Sequence, residues 1–331
     1  MQRPELSVVV ASHDRPLRLR WLLNALAAQS LDPDRWEVVV GHDSAGPETE
    51  ALLAEHPLAR RGSLRSRGLP PGTAPPGANR NAALALARGT TIVFTDDDCR
   101  PPEGWLAAVI EASHHHAGAI IQGPVAPDPD EAVMLRSPFP RTQSFSAVPR
   151  PWAECANIIY PKALLERLGG FAQDMYTGED TELSRRALAA GARIVGDERM
   201  LTYHAVEEGT AGDAVRGAPR WGDLALLIHR HPELRSELFL RVFWKREHAL
   251  LLLAALGTGL SLRGGLDGGR RWRSPAGLLL ALPWALQRNA HGRGVRGQAR
   301  ALVALPGWAA IDLAEIVVLA RASRRHRALI L

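Results

Sequence analysis

Short unbroken apolar runs alternate with stretches of helical periodicity over the first two hundred positions, and this order predicts a parallel sheet covered on both faces. Leu6-Ser7-Val8-Val9-Val10-Ala11 and Trp36-Glu37-Val38-Val39-Val40 read as buried parallel strands, while Leu17–Gln29, after Pro16, repeats apolar residues at helical spacing. Glu48–Glu55 predicts a short helix, residues 60–77 a Gly/Pro-rich loop, and Asn79–Arg88 a helix closed by Gly89. Thr91–Thr95 is the next buried strand. Strand, helix, strand, helix, helix, strand in this order indicates an α/β fold with a mostly parallel sheet flanked by helices. Ligands bind such sheets at the carboxyl ends of the strands, where Ser12, Asp43 and Asp96 to Asp98 all fall.

Trp105–Ala117 continues as a helix, and residues 123–152 are too rich in proline for much regular structure. Order resumes at Ala156-Asn157-Ile158-Ile159-Tyr160, then residues 161–168 and Gly169-Gly170-Phe171. Gly178-Glu179-Asp180 opens a helix over Thr181–Ala190 that stops at Gly191, and Met200-Leu201-Thr202-Tyr203 is strand-like and ends at His204. Ala205–Pro219, with Gly209, Gly212 and Gly217, reads either as a loop able to close over a ligand or as a linker.

From Arg241 the pattern changes. Ala249–Leu262 and Ser274–Gln287 carry no charge, and Ala301–Ala320 is apolar apart from Asp312 and Glu315. A spanning helix takes about 20 apolar residues, so two runs are short and the third carries acids. Arginines crowd the borders, among them Arg263, Arg270, Arg271, Arg273, Arg293, Arg321 and Arg324. Apolar helices with basic flanks fit a region lying in the interface of an anionic membrane, on its cytoplasmic face as a peripheral or monotopic element. A helical subdomain whose apolar faces meet one another is the alternative. The expected organisation is a catalytic domain over residues 1–205, connecting elements over 206–240 and an apolar, basic helical region over 241–331.

Composition changes little in this picture. The 331-residue chain has a formal charge of +5, but of its 40 basic residues only Lys162 and Lys245 are lysines, a bias of coding rather than a nucleic-acid signature. No basic stretch is interleaved with aromatics at stacking spacing, so a nucleic-acid partner is not expected. Cys99 and Cys155 are too few for a disulfide framework and lack metal-ligand spacing, which fits a reducing cytosol. The N-terminal residues enter a strand pattern without the apolar h-region of a signal peptide.

The candidate chemistry begins with Asp96-Asp97-Asp98, three carboxylates directly behind a buried strand. Like charges so spaced push one another toward the neutral form, and a divalent cation is the usual remedy. In an extended chain Asp96 and Asp98 point the same way and Asp97 the other. A solvated acidic turn before Pro101-Pro102 is the plainer reading, as simple helix capping is for Glu179 and Asp180. His114-His115-His116 is read as an exposed helix face, since consecutive helical residues cannot all face one ion.

Ser7-Val8-Val9-Val10-Ala11-Ser12-His13-Asp14-Arg15, Gly77-Ala78-Asn79-Arg80-Asn81, Phe94-Thr95-Asp96-Asp97-Asp98, Gly169-Gly170-Phe171 and Gly178-Glu179-Asp180 together resemble, in order and spacing, the family 2 glycosyltransferases of GT-A fold. The resemblance covers about residues 5–205. It implies a nucleotide-sugar donor site followed by an acceptor half, with a glycan or lipid-linked acceptor. Ser12 and Arg15 would lie beside the base and ribose, Arg80 near the phosphates, and Asp96 against the ribose. Asp98, with Asp96 or Asp97, would hold Mg2+ or Mn2+ on the diphosphate, and His204 takes the position of a histidine placed beside that metal. Asp180 matches the catalytic base of an inverting transfer, with Glu179 orienting the neighbouring loop. One departure stands out: where the family shows paired aspartates after the second strand, this chain has Gly41-His42-Asp43-Ser44, so the base-reading role falls on His42 or Asp43.

Two other classes stay open at this stage. A metal-dependent phosphohydrolase also places Asp-x-Asp after a strand, though no lysine lies near this one. A membrane subunit that kept the fold but lost its chemistry is the other, and the intact Asp96-x-Asp98 and Glu179-Asp180 argue against it.

Overall fold

The computed structural model describes residues 3–72, 74–263, 279–289 and 294–331. The chain divides into two compact units, the first comprising residues 1–133 and 141–207, the second residues 134–140 and 208–331.

The first unit is built on a seven-stranded sheet in the order Ile194–Gly196, Ile120–Gln122, Ile158–Pro161, Thr91–Asp96, Leu6–Ser12, Trp36–His42, Leu64–Gly68. Leu6–Ser12 pairs in parallel with Trp36–His42 on one side and Thr91–Asp96 on the other. The apolar runs form central strands because both of their faces are covered. Val8, Val10, Val38 and Val40 belong to one core and Val9 and Val39 to the other, so a run without polar alternation leaves no side chain stranded in water. On the first face Leu19, Leu22, Leu23 and Leu26 of the helix Pro16–Ala27 are fully buried, each worth about 1.5–3 kcal/mol relative to exposure.

Three features differ from the sequence reading. Residues 60–77 contain an edge strand, Leu64–Gly68, which pairs in parallel with Trp36–His42. Its residues Arg65, Ser66 and Arg67 are polar because an edge strand has one open side, and that hides it from an apolar-run search. Second, within a sheet that is mostly parallel as expected, Ile158–Pro161 is the strand that runs antiparallel, to both Thr91–Asp96 and Ile120–Gln122. Third, the proline-rich stretch supplies Val125–Pro127, which joins Thr202–His204 and Cys99–Arg100 in a small second sheet.

In the second unit, the helix Ala211–Gly217 occupies part of the segment read as a loop, opened by a reciprocal cap between Thr210 and Asp213. The apolar region forms helices Arg246–Arg263, Leu282–Asn289 and Gly294–His326. Of the sequence features named above, Arg270, Arg271, Arg273, Arg293 and the first part of Ser274–Gln287 lie outside the described residues. One described helical stretch, Gly297–His326, is long and apolar enough to cross a membrane by length and composition.

Candidate active site

The acidic triplet is not extended. The strand ends at Asp96, and Asp97 and Asp98 form a turn into Cys99–Arg100. Each carboxylate therefore faces a different partner. Asp96 accepts from Arg80 Nη2 at 2.9 Å. Asp97 is buried and accepts from Ser12 Oγ at 2.8 Å. Asp98 accepts from Arg15 Nη1 at 2.5 Å and lies 3.3 Å from His204 Nε2. Despite the turn, Asp96 and Asp98 stay on one side: one ligand atom each from Asp96, Asp98 and His204 lie within 4.8 Å of one another. The two carboxylates suit Mg2+ or Mn2+, and the imidazole leans the set toward a transition-metal ion such as Mn2+.

Electrostatics separate the three acids. Asp97 titrates at about 7, raised by burial and by its neighbour Asp98, against the opposing pull of Arg15 and the Ser12 hydroxyl. Arg15 is held more firmly charged than usual by Asp97 and Asp98, which outweigh its partial burial.

Arg80 is the hub of the site. Its guanidinium donates to Glu179 Oε1 at 2.6 Å as well as to Asp96, and it sits over the Phe171 ring. The arginine is brought there by Gly41. A Cβ on Gly41 would lie 1.9 Å from the Asn79 carbonyl, so only glycine lets the helix Pro76–Leu84 approach the second strand so closely. Asn81 then clamps the Gly169-Gly170-Phe171 turn, donating to the Phe171 carbonyl at 2.9 Å and accepting from its N–H at 2.8 Å. Gly170 is left-handed (φ +74°), and a Cβ there would meet the Asn81 amide.

Glu179 and Asp180 open the helix Glu179–Ala189 behind left-handed Gly178. Their roles diverge more than a capping pair would. Glu179 is buried and committed to Arg80. Asp180 accepts from the Thr181 N–H at 2.7 Å and is otherwise held only by long contacts such as the 3.4 Å one from the Cys155 N–H. It titrates at about 8, pushed up by burial and then by the Glu179 charge, with Arg80 opposing. An acid in that range is poised to exchange a proton near neutral pH.

His42 and Asp43 resolve into different environments. Asp43 is buried and saturated, accepting from Asn79 Nδ2 at 2.8 Å and the Ala74 N–H at 3.1 Å, with His13 Nδ1 at 3.0 Å. His42 is also buried, and its Nε2 lies 3.2 Å from Glu50. Asp43 thus ties together the first strand's exit, the Gly/Pro-rich loop and the arginine helix, and of the two His42 has its ring nitrogens less committed. Outside this group, His114 and His115 are exposed, and His114 pairs with Glu5.

Several site residues carry no motif of their own. Glu131 accepts from Arg18 at 2.5 Å and from the Val206 N–H at 2.8 Å, fixing the chain just beyond His204. Asn79 and Asn81 were visible in sequence only as neighbours of Arg80. An Asn at every second position of a short helix after Gly-Ala is the one signal that marks them.

Residues 7–168, just under half of the chain, match the sequence model of Glycosyl transferase family 2, and the fold is similar to that of the GT-A glycosyltransferases. Among curated proteins it is 26% identical over 254 residues to the O-antigen biosynthesis protein RfbC of Myxococcus xanthus, covering 66% of this chain and 18% of that protein. It is likewise 26% identical over 203 residues to the Pre-mycofactocin glycosyltransferase of Mycobacterium tuberculosis, covering 56% of this chain and 41% of the relative. The chain thus spans less than half the length of these two relatives. In fold it is similar to the mannosyltransferase PcManGT of Pyrobaculum calidifontis, solved with GDP-Man and Mn2+, with a TM-score of 0.58 at 18% identity, over 97% of this chain and 88% of that one.

Proposed function

We propose that the protein moves a sugar from a nucleotide-diphosphate donor to an acceptor hydroxyl by a single inverting displacement that depends on a divalent cation. The observation that carries this reading is the bridge through Arg80, which joins Asp96 at the end of the acidic strand to Glu179 beside Asp180. It couples a group that would hold the donor's metal to the residue beside the one that would take the proton.

Asp96, Asp98 and His204 would hold Mg2+ or Mn2+, which when bound neutralises charge developing on the leaving diphosphate. Ser12 positions Asp97, Arg15 stands exposed on the donor side, Arg80 holds Asp96 and Glu179 close to where the phosphates would lie, and His42 and Asp43 stand at the base-reading end. Asp180 accepts the proton of the attacking hydroxyl, and Glu179, fixed by Arg80, keeps the Asp180 loop in place. No covalent nucleophile is needed: both cysteines are buried, and the buried thiols are held protonated well above their usual range, first by burial. The acceptor is proposed to be a cell-envelope glycan or a lipid-linked sugar at the cytoplasmic face of a membrane. Support comes from the O-antigen relative's name and from the long apolar helix.

A thermal-shift screen of nucleotide sugars with and without Mn2+ tests the donor claim, because a ligand of the native state raises stability by RT ln(1 + [L]/Kd). A donor that stabilises only with metal, and a product of inverted anomeric configuration by NMR, are expected. Stabilisation by no nucleotide sugar under either condition, with phosphate released from simple phosphoesters, would transfer the site to a phosphohydrolase.

A further inference from the structure

The helix Gly294–His326 buries Ala304, Ile311, Ile316 and Leu319 together with its two acids, and leaves a second set of apolar side chains exposed. Asp312 and Glu315, the two acids in the apolar helix Gly294–His326, are buried, whereas Leu302, Val303, Leu313 and Val317 of the same helix are exposed. The acids are paired inward. Asp312 accepts from Arg288, and from Trp284 Nε1 at 2.8 Å, both on the helix Leu282–Asn289. Glu315 accepts from Lys245 at 2.7 Å and faces His248 Nε2 at 2.9 Å. They therefore do not count against contact with lipid, as they do when the run is read as a string. Charges in hydrocarbon are tolerated when they face the bundle interior and are paired.

The outer face is a stripe. Val303, Pro306, Ala310, Leu313 and Val317 recur at helical spacing, all exposed, and no exposed charge interrupts the helix between Arg300 and Arg321. At 1.5 Å per residue that interval is about 31 Å, close to the roughly 30 Å of a bilayer's hydrocarbon. Past it come exposed Arg321, Arg324, Arg325 and Arg327, with no carboxylate partner among the described residues. The same end of the bundle gathers more positive charge. Leu331 exchanges backbone hydrogen bonds with Val242 and Trp244, which places exposed Arg241 and Arg246 beside the arginine-rich helix end. The neighbouring helix Arg246–Arg263 repeats the outward leucines at Leu252, Leu253 and Leu256.

We infer that this helical unit is an integral lipid anchor: its leucine and valine faces enter the hydrocarbon of an anionic bilayer, its internal ion pairs hold the helices together there, and the basic end lies among the headgroups. This deepens the membrane location proposed above, so donor binding is followed separately.

The full chain is mixed with vesicles of phosphatidylcholine and phosphatidylglycerol, floated, and washed in about 1 M salt, where screening acts over about 3 Å. Most of the protein is expected to stay with the vesicles after the wash, and Val303→Glu with Leu313→Glu to shift most of it to the soluble fraction. Because those variants can fail to fold, Val303→Cys carrying a nitroxide label is read alongside; the two native cysteines are buried, so the label goes to position 303. Its accessibility should move from a water-soluble nickel chelate toward oxygen when vesicles are added. Release by salt, a label still exposed to the chelate, or a vesicle-free soluble dimer covering the stripe would overturn the anchor. Stabilisation by a nucleoside diphosphate with Mn2+ reports the transferase site whichever way the anchor is decided.

Discussion

Arg15 donates to Asp98 at 2.5 Å, and the same nitrogen lies 3.6 Å from Asp97. One guanidinium thus serves two carboxylates of the acidic turn, and a divalent cation on Asp98 has to compete with it for the charge of the same carboxylate. Arg15 is about half exposed, so its hold is modest. Arg15→Gln is expected to tighten Mn2+ binding in the absence of donor by roughly two- to fivefold, while weakening nucleoside diphosphate binding. Titration of the free Mn2+ signal by electron paramagnetic resonance checks it. A variant that binds the ion more weakly places Arg15 among the groups that assist the metal.

Arg80 is buried and paired on both sides, so its loss leaves two carboxylates without a cation. Breaking such a pair costs about 3–5 kcal/mol, whereas removing both charges together is far milder. Arg80→Met should lower the urea midpoint sharply, and combining it with Asp96→Asn and Glu179→Gln should recover most of the loss. A single-variant cost below about 1 kcal/mol, the size of an exposed pair, contradicts the hub.

Asp180 is raised to about 8, so at neutral pH most of it is protonated and unable to act as a base. Transfer should rise with pH toward that value, since the deprotonated fraction grows. Asp180→Asn should lower kcat by about 10²–10⁴ and flatten this limb, with little change in donor-induced thermal stabilisation. An unchanged kcat removes Asp180 from the chemistry.

Gly41 sets the distance between the second strand and the arginine helix. Gly41→Ala forces the Asn79 backbone away, an overpacking cost of about 1–3 kcal/mol, and displaces Arg80 with it. Both the melting temperature and donor binding should fall. Gly104→Ala, where an added Cβ meets nothing, should leave binding untouched.

Most of the first unit was legible in the chain because its signals are local. Val8–Val10, Val38–Val40 and Ile92–Phe94 are buried on both faces, so burial alone predicts them. Leu64–Gly68 escaped because its pairing partner, and not its own polarity, makes it a strand. The expectation that Asp96 and Asp98 share a side held although the backbone turns after Asp96. Simple capping did not account for Glu179, whose carboxylate is spent on Arg80.

By itself the sequence determined the order of buried strands, the place of the acidic cluster at a strand end and the likeness of residues 7–168 to the family 2 glycosyltransferases, since each is written in contiguous residues. The tertiary structure decided which cation meets which acid. Arg15 and Asp98 are 83 positions apart and Arg80 and Glu179 are 99 apart, and no local period specifies such pairs. The same holds for the apolar helix. Whether Asp312 and Glu315 keep it out of lipid depends on where Arg288 and Lys245 stand, which packing fixes and a hydropathy count cannot see.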